Sequence, residues 1–503
     1  MNTKQQVSSY QKRFDALKQA RAPWVPAWKE LAKYLAPTRG CFDGQTPNSG
    51  QKLDHKTLLD SSASLAVGVL GAGMMSGLTS PSRSWFDLAL SPRGLKKLPG
   101  ASAWLLDVKK GIESALAKSN VYSVLQQVYE EVSVFGTAAF LVEEDPQGGI
   151  FCRPFTAGEY MLDIDDKGRV NTFGREFFMT ASQLAHAFGI ENLPPQIQRE
   201  LLEPNTATQH KVMHLIFPNP HADENRVDFT HFAFSSVYFM QDGTLLRQGG
   251  YHEFPVVAAR WETKNTSDIY GRGPGWKALG DVKMLQKMQK TKLVALDKST
   301  NPPVMVSAAV QGEVNLLPGG ITRCNSLTDA AVKPAYQVQP DVAALNAAME
   351  EVRQIIRAQF FADVFVMLSA QDTPHLTATE VAERKQEKML LLGPVLQRLK
   401  TELLDPLIER TYYILLRQGS ILPAPEILHG LELHVDYIST IAQAQRSSAL
   451  EPLAQGVAFA EKLTQAAPEL AAHVNYPRAL SEGLESLGVD GILLNQGVAN
   501  ECR

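Results

Sequence analysis

A single helical pattern constrains this chain more than any other stretch. From Thr377 to Gln418 it reads TATEVAERKQEKMLLLGPVLQRLKTELLDPLIERTYYILLRQ, and Gly419 follows. Thr377 and Glu380 have the spacing of a capping box, in which each side chain satisfies an amide at a helix start. Gly419 is suited to end the helix in a left-handed conformation. The interval is roughly 60 Å of helix at 1.5 Å rise per residue, against a usual length of about 11 residues. Leu391, Leu392, Val395, Leu396, Leu399, Leu403, Leu404, Leu407 and Ile408 form its apolar stripe. Gly393-Pro394 and Pro406 each predict a kink, because proline removes a backbone donor and its ring crowds the preceding turn. The pattern alone also suits a long core helix in a large domain.

The 503 residues provide for two to four folding units. With 44% hydrophobic and 20% charged residues the chain is globular. Its net charge of −4 excludes a protein that grips nucleic acid through a basic excess. Cys41, Cys152, Cys324 and Cys502 form no C-x-x-C pair and read as free thiols of a reducing compartment. The polar start, MNTKQQVSSYQKRF, has no signal-peptide character. Ser61–Ser82 carries no charge, but its apolar part, Ala63–Leu78, is too short and too rich in glycine and serine to span a bilayer. It reads as a buried helix whose small residues admit close neighbours, with a membrane-active role as the rival.

Helices are expected over residues 4–36 (two), 56–78, 102–117 and 122–134, with a strand at Ser84–Leu90. From Gly136 the chain becomes rich in β-branched and aromatic residues, and Asp166-Lys167-Gly168 and Gln241-Asp242-Gly243 mark hairpin turns. Short helices at 181–188 and 196–202 interrupt these strands. Tyr270-Gly271-Arg272-Gly273-Pro274-Gly275 reads as a hinge, followed by a helix over Trp276–Thr300. There Leu279, Val282, Leu285, Met288, Leu293 and Leu296 share one face, Lys283, Lys287 and Lys290 share another, and Lys292 intrudes on the apolar arc. After short strands over 304–338, Asp341 caps a helix reaching Val366. Its Val342, Leu345, Met349, Val352 and Ile356 recur at steps of 3, 4, 3 and 4, the seam of a helix packed nearly parallel to its neighbours. A polar loop, Ser369–His375, precedes the long helix. A strand at Leu431–Tyr437 and helices near 440–465, 468–474 and 477–487 close the chain.

Catalytic and cofactor motifs are missing from the sequence. There is no P-loop, no H-E-x-x-H and no G-x-S-x-G. Gly68, Gly71 and Gly73 lie in a helical run rather than after a strand. Ser9-x-x-Lys12 is too short a pattern to carry weight. His210 and His214 fall where a strand is expected, and suit partly exposed positions better than ligands. Asp163, Asp165 and Asp166 beside Gly168 read as a turn, not a calcium loop. No metal, no cofactor and no enzyme activity are expected, and a packaging nuclease or hydrolase is the enzymatic rival.

Three segments carry a resemblance: LLDSSASLAVGVLGAGMMSGLTSPSRSWFDL, YGRGPGWKALGDVKMLQKMQKTKLVALDKSTNPPVMV and TATEV through LLRQG. Together and in this order they resemble the head-to-tail connector, or portal, proteins of short-tailed double-stranded DNA bacteriophages, over nearly the whole chain. The resemblance implies an α+β, mainly helical subunit of a portal type. It maps residues 1–270 to a wing, 271–300 and 341–368 to two stem helices, 301–340 to a small β clip, and 369–376 to a tunnel loop. Residues 377–430 would be the long kinked helix and its return, and 431–503 a helical crown and tail. It further implies a homo-oligomer of twelve around double-stranded DNA held without sequence preference. The partners would be the large terminase subunit, scaffold and major capsid protein, and a tail adaptor. The place would be the portal vertex of a virion assembled in the cytoplasm of a bacterial host, without a membrane. A tail or adaptor ring without capsid contact is the nearest alternative. Lys283, Lys287 and Lys290, with Gln371, Asp372 and His375 of the loop, are the candidate residues facing DNA. Twelve helices about 10 Å apart would enclose a bore of roughly 28 Å, and twelve chains of −4 would give −48, a field that lets DNA slide.

Overall fold

The protein is described from a computed structural model. It covers residues 3–42, 57–90, 100–202, 208–308 except 224 and 227, 310–311, 313–317, 321, 323–324, 332–336, 339–369, 392–428, 433–438 and 456–461. In chain order, helices α1 (Thr3–Arg21), α2 (Val25–Leu35) and α3 (Ser62–Leu78) lead into β1 (Phe86–Leu90), α4 (Ala101–Lys118) and α5 (Val121–Phe135). Strands β2 (Thr137–Glu144), β3 (Ile150–Phe155), β4 (Tyr160–Ile164) and β5 (Val170–Thr180) follow. Then come α6 (Ala181–Phe188), α7 (Pro195–Glu200), β6 (Gln209–Pro218), β7 (Phe234–Met240), β8 (Leu245–Tyr251) and β9 (Val256–Arg260). The fold is mixed α+β and mainly helical, as the sequence predicts.

Two antiparallel sheets organise the first half, one ordered β3-β2-β9 and one ordered β4-β5-β6-β7-β8. Gly168 and Gly243 take positive φ in the two expected hairpin turns. The five-stranded sheet is covered on one face by α1, through Val7, Phe14 and Leu17 against Met213, Leu215 and Phe239. Leu184 and Ile197, from α6 and α7, pack with Val212 and Leu246 of the sheet. Thr180 and Gln183 form the capping box that starts α6.

α3 is the buried small-residue helix expected from its composition. A side chain at Gly73 would begin 2.2 Å from the Phe365 ring, and one at Gly71 would begin 2.8 Å from Glu130. The helix starts at Ser62 rather than at residue 56. The amides of Leu59 and Asp60 are taken by Gln286 Oε1 at 2.7 and 2.9 Å, and Asp60 Oδ1 accepts from Ser62 N at 2.9 Å, so the preceding turn cannot continue the helical ladder. Among the described residues no helix is long and apolar enough to cross a membrane.

The 270–275 segment is a locked crossing, not a hinge. A Cβ on Gly271 would lie 2.4 Å from the Gly136 carbonyl, and one on Gly136, at φ +86°, would lie 2.4 Å from that of Gly271. Glycine is required there because two backbones touch. Thr137 Oγ1 accepts from Gly271 N at 2.8 Å, and the Trp276 indole donates to Phe135 O at 2.9 Å.

Beyond it run α8 (Pro274–Thr300), the short strands β10 (Val304–Val306), β11 (Val310–Gln311), β12 (Arg323–Cys324) and β13 (Val332–Pro334), then α9 (Val342–Gln359) and α10 (Ala362–Ser369). β10 pairs with β13 and β11 with β12. Asp341 caps α9, its carboxylate accepting from Ala344 N at 2.9 Å. The helix expected to continue to Val366 breaks at Phe361, a non-glycine residue at φ 54°. Phe360 is fully buried before the break and the Phe361 ring lies 6.3 Å from that of Trp261, so packing of two adjacent aromatic side chains offsets the backbone strain.

The described part of the long helix comprises α11 (392–399), a π-helical turn at Lys400–Leu404 and α12 (Asp405–Arg417). Gly393 and Pro394 lie within α11. At Pro406 the expected interruption takes the form of the wider π turn, in which Asp405 N bonds back to Lys400 O. Gly419 ends α12 at φ 68°, with Ser420 N on Leu415 O and Gly419 N on Leu416 O, a Schellman motif. Thr377, Glu380 and Leu391 lie outside the described residues, as do most of the helices expected after residue 440. β14 (Leu433–Tyr437) returns to pair antiparallel with β1, Phe86 opposite Tyr437. One main core joins α2 to α5, the three-stranded sheet, the roots of α8 and α9, and the long helix.

His214 corrects an expectation. It is fully buried on β6, its ring stacked on Tyr238 at 3.8 Å, while His210 bonds Glu200 at 2.7 Å. Asp165 accepts from the amides of Lys167 and Arg169, confirming a turn at 163–168. Among the described residues no cluster could hold a metal ion, and Cys41 and Cys152 are not joined in a disulfide.

Candidate nucleic-acid interface

The paired helices α8 and α9, the expected stem, are anchored to the core at one end. In α8 the buried residues are Pro274, Gly275, Ala278, Val282, Leu285 and Gln286, all in its first half. In α9 they are Met349, just before its midpoint, and Val352 and Ile356 in its second half. Because the two helices run in opposite directions from the same strands, these halves are neighbours, and the ends nearer β10–β13 stand clear of the core.

Polar contacts fix the root. Gln286, almost fully buried, accepts from the Leu59 and Asp60 amides and donates Nε2 to Asp60 O at 2.7 Å. Arg353 of α9 donates to Asp60 Oδ2 from Nε at 3.1 Å and Nη2 at 2.7 Å. Hydrogen bonds from Ser62 and Arg353 outweigh burial and hold the Asp60 carboxyl below its ordinary range. One aspartate thus ties both stem helices to the start of α3. Gln359 and Asp281 add a second tie at 2.8 Å. Sequence reasoning missed this joint, since Asp60 and Arg353 are far apart in the chain and each looks like a surface residue.

Part of the seam packs within the subunit. Met349, Val352 and Ile356 face the chain's own core, against α8 and α3, and are not available to a neighbouring copy. Val342 and Leu345 are only half-buried. What the stem leaves exposed is another set: Met284, Leu293 and Val294 on α8 and Ile355 on α9, each 42–46% exposed. Leu293, expected in the apolar face, is therefore at the surface, because that face outruns the core it packs on. Beyond these helices, Met305, Val306, Leu316, Leu317, Ile321 and Tyr336 are exposed as well. Lys292 enters the apolar arc to donate to Asn346 of α9 at 2.6 Å.

The three lysines do not behave alike. Lys283 is half-buried, bonds Glu30 at 2.8 Å and lies over the Tyr34 ring, so it belongs to the root. Lys287 and Lys290 are exposed, and neither forms an ion pair among the described residues. Glu350 is taken by Arg353 and Arg357, both at 3.2 Å. Gln371, Asp372 and His375 lie outside the described residues.

Comparison with known proteins gives a concordant picture. The family model "Bacteriophage head to tail connecting protein" matches residues 7–494. A "Probable portal protein" of Bordetella phage BPP-1 is 36% identical over 491 residues, covering 96% of this chain and 88% of that protein. The "Portal protein" of Salmonella phage epsilon15 is 36% identical over 484 residues, covering 95% and 87%. Among solved structures, a chain of the "Virion of native gene transfer agent (GTA) particle" aligns with 94% of this chain and 98% of its own, at 10% identity and a TM-score of 0.38, a level that carries no inference.

Proposed function

The chain belongs to the bacteriophage head-to-tail connecting proteins, and from that premise we propose that it is a portal protein, whose copies close into a ring at one vertex of a phage head. Collinear relatedness to two phage portal proteins over almost the whole chain carries this reading. The stem gives it a physical basis. A lone subunit leaves Met284, Leu293, Val294 and Ile355 in water on two helices whose other faces are already packed. Exposed apolar side chains of this kind are what a second copy covers.

Twelve copies are the expected closure. Double-stranded DNA threads the bore during packaging and leaves through it at ejection, contacted loosely by exposed Lys287 and Lys290 and by Gln371, Asp372 and His375. Backbone contacts of this sort position a duplex without reading its sequence. The large terminase subunit and later the tail adaptor dock at the clip, and scaffold and major capsid protein surround the wing during assembly in the host bacterium. The chain catalyses nothing in this scheme, and the energy for packaging comes from a separate ATPase.

End-on negative-stain images of the purified full chain test the proposal. A closed ring of about twelve subunits with a bore wider than a duplex is the expected result, without ATPase or nuclease turnover. A monomer at every concentration, or a ring closed to duplex, overturns it. Co-assembly with scaffold and capsid protein separates a portal from a tail adaptor ring.

A further inference from the structure

The five-stranded sheet of the wing carries a row of side chains that the conduit function does not use. Arg175 on β5 lies opposite His214 on β6, His214 opposite Tyr238 on β7, and Tyr238 opposite Arg247 on β8. Directly opposed residues share a face, so four adjacent strands place arginine, histidine, tyrosine and arginine in one line. The row borders a cavity of about 440 Å³, walled also by Arg153, Phe155, Phe177 and Phe188.

The middle of the row is uncharged. The His214 and Tyr238 rings stack at 3.8 Å and 9°. His214 Nδ1 accepts from Arg175 Nε at 3.3 Å, and Nε2 lies 3.0 Å from Ser236 Oγ. Burial first, then the nearby charges of Arg175, Arg247 and Arg153, keep the imidazole neutral. The two ends are cations held by aromatic faces. Arg175 lies 4.4 Å over Phe177 and 5.1 Å over Phe155, and Arg247 lies 4.7 Å over Tyr238 and 5.7 Å over Phe188. Such contacts orient a guanidinium without neutralising it.

Each acid lining the cavity has another partner, and Glu143 and Glu159 also act on Arg175 through space without a direct pair. Glu143 accepts from Arg153 at 3.2 Å, Glu176 binds Lys18 and Lys211 at 3.3 and 3.4 Å, and Glu159 accepts from Thr156 N at 2.9 Å. Neither Arg175 nor Arg247 forms a salt bridge among the described residues. Two oriented guanidinium groups with no direct carboxylate pair among the described residues, flanking a neutral stack, match the planar, bidentate chemistry of an oxyanion. The phenyl walls add room for an apolar group beside it.

We propose that this cavity is a binding site for an oxyanion, phosphate or carboxylate, joined to a flat apolar group, with Arg175 and Arg247 as its two cationic jaws. The inference stands apart from the ring and its bore. Calorimetric titration of the full chain with phenylphosphate, beside inorganic phosphate and sodium chloride at equal ionic strength, tests it. Saturable binding of phenylphosphate is expected, tighter than that of phosphate, and weakened at least ~10-fold in Arg175→Met and in Arg247→Met. Arg226→Met, outside the cavity, should bind as the parent does. Arg247 is exposed, so its variant decides the matter if Arg175→Met fails to fold. No saturable binding by the parent protein, undiminished binding in Arg247→Met, or an equal loss in Arg226→Met overturns the proposal.

Discussion

Arg260 and Glu402 are locked together across the seam between sheet and long helix. Arg260 Nη2 donates to Glu402 Oε1 at 2.7 Å, and its Nε and its own backbone amide both reach Oε2 at 3.0 Å. The remaining donors of Arg260 satisfy the carbonyls of Asp268 and Gly168, both at 2.8 Å. Glu402 sits inside the π turn beside Pro406, so the irregular turn is pinned to β9 by a single, nearly buried guanidinium.

Removing that carboxylate leaves Arg260 buried without a counter-charge. Glu402→Ala should cost about 3 kcal/mol, and Glu402→Gln, which still accepts hydrogen bonds, should cost less. Thermal melting of the two variants beside the parent checks the order. Equal melting temperatures for all three would mean that the pair holds nothing.

Stability should depend on pH through Glu131. Its carboxyl is buried, and burial, only partly offset by Thr156 and Arg39, pushes it up to about 7 from an ordinary 4.5. Folding therefore takes up a proton between those values. Stability is greatest below the lower value, falls as pH rises through the window, and is level above it. The loss is on the order of 3 kcal/mol. Glu131→Gln removes this dependence, so it should melt above the parent at pH 8 and converge with it near pH 4.5. Parallel melting profiles across the range would refute the assignment.

Ring closure is predicted to rest on the exposed apolar residues of α8 and α9. Leu293→Asp combined with Val294→Asp changes two residues outside the subunit's own core. The subunit should keep its helical circular dichroism yet sediment as a monomer, since each buried aliphatic side chain contributes about 1.5–3 kcal/mol at an interface. A ring that still forms would place the contact elsewhere.

The lysines should separate by role. Lys287→Glu with Lys290→Glu should leave rings intact and lower DNase-protected DNA in assembled particles several-fold, by setting acidic groups against the duplex. Lys283→Ala breaks a partly exposed pair with Glu30, worth about 1 kcal/mol or less, and a contact over the Tyr34 ring. It should package normally. Similar yields from both variants would remove Lys287 and Lys290 from the path of DNA.

Much of the architecture is legible in the chain itself. Apolar steps of 3 and 4 define α9, runs rich in β-branched and aromatic residues between turn signals define the sheets, Asp341 and Gly419 mark helix ends, and the glycines of α3 announce close packing, because each of these signals acts between residues near in sequence. The family is legible too, from the joint presence of the three segments in one order. Which partner each apolar face meets is decided only by the fold. Met349 and Leu293 look alike in the sequence, yet one is buried against its own subunit and the other stands in water, since burial depends on where the core ends. Asp60 with Arg353, Arg260 with Glu402, and the row from Arg175 to Arg247 join residues that no local pattern links. Charge pairing and strand register are set by distances in space, and these exist only once the sheets and helices have packed.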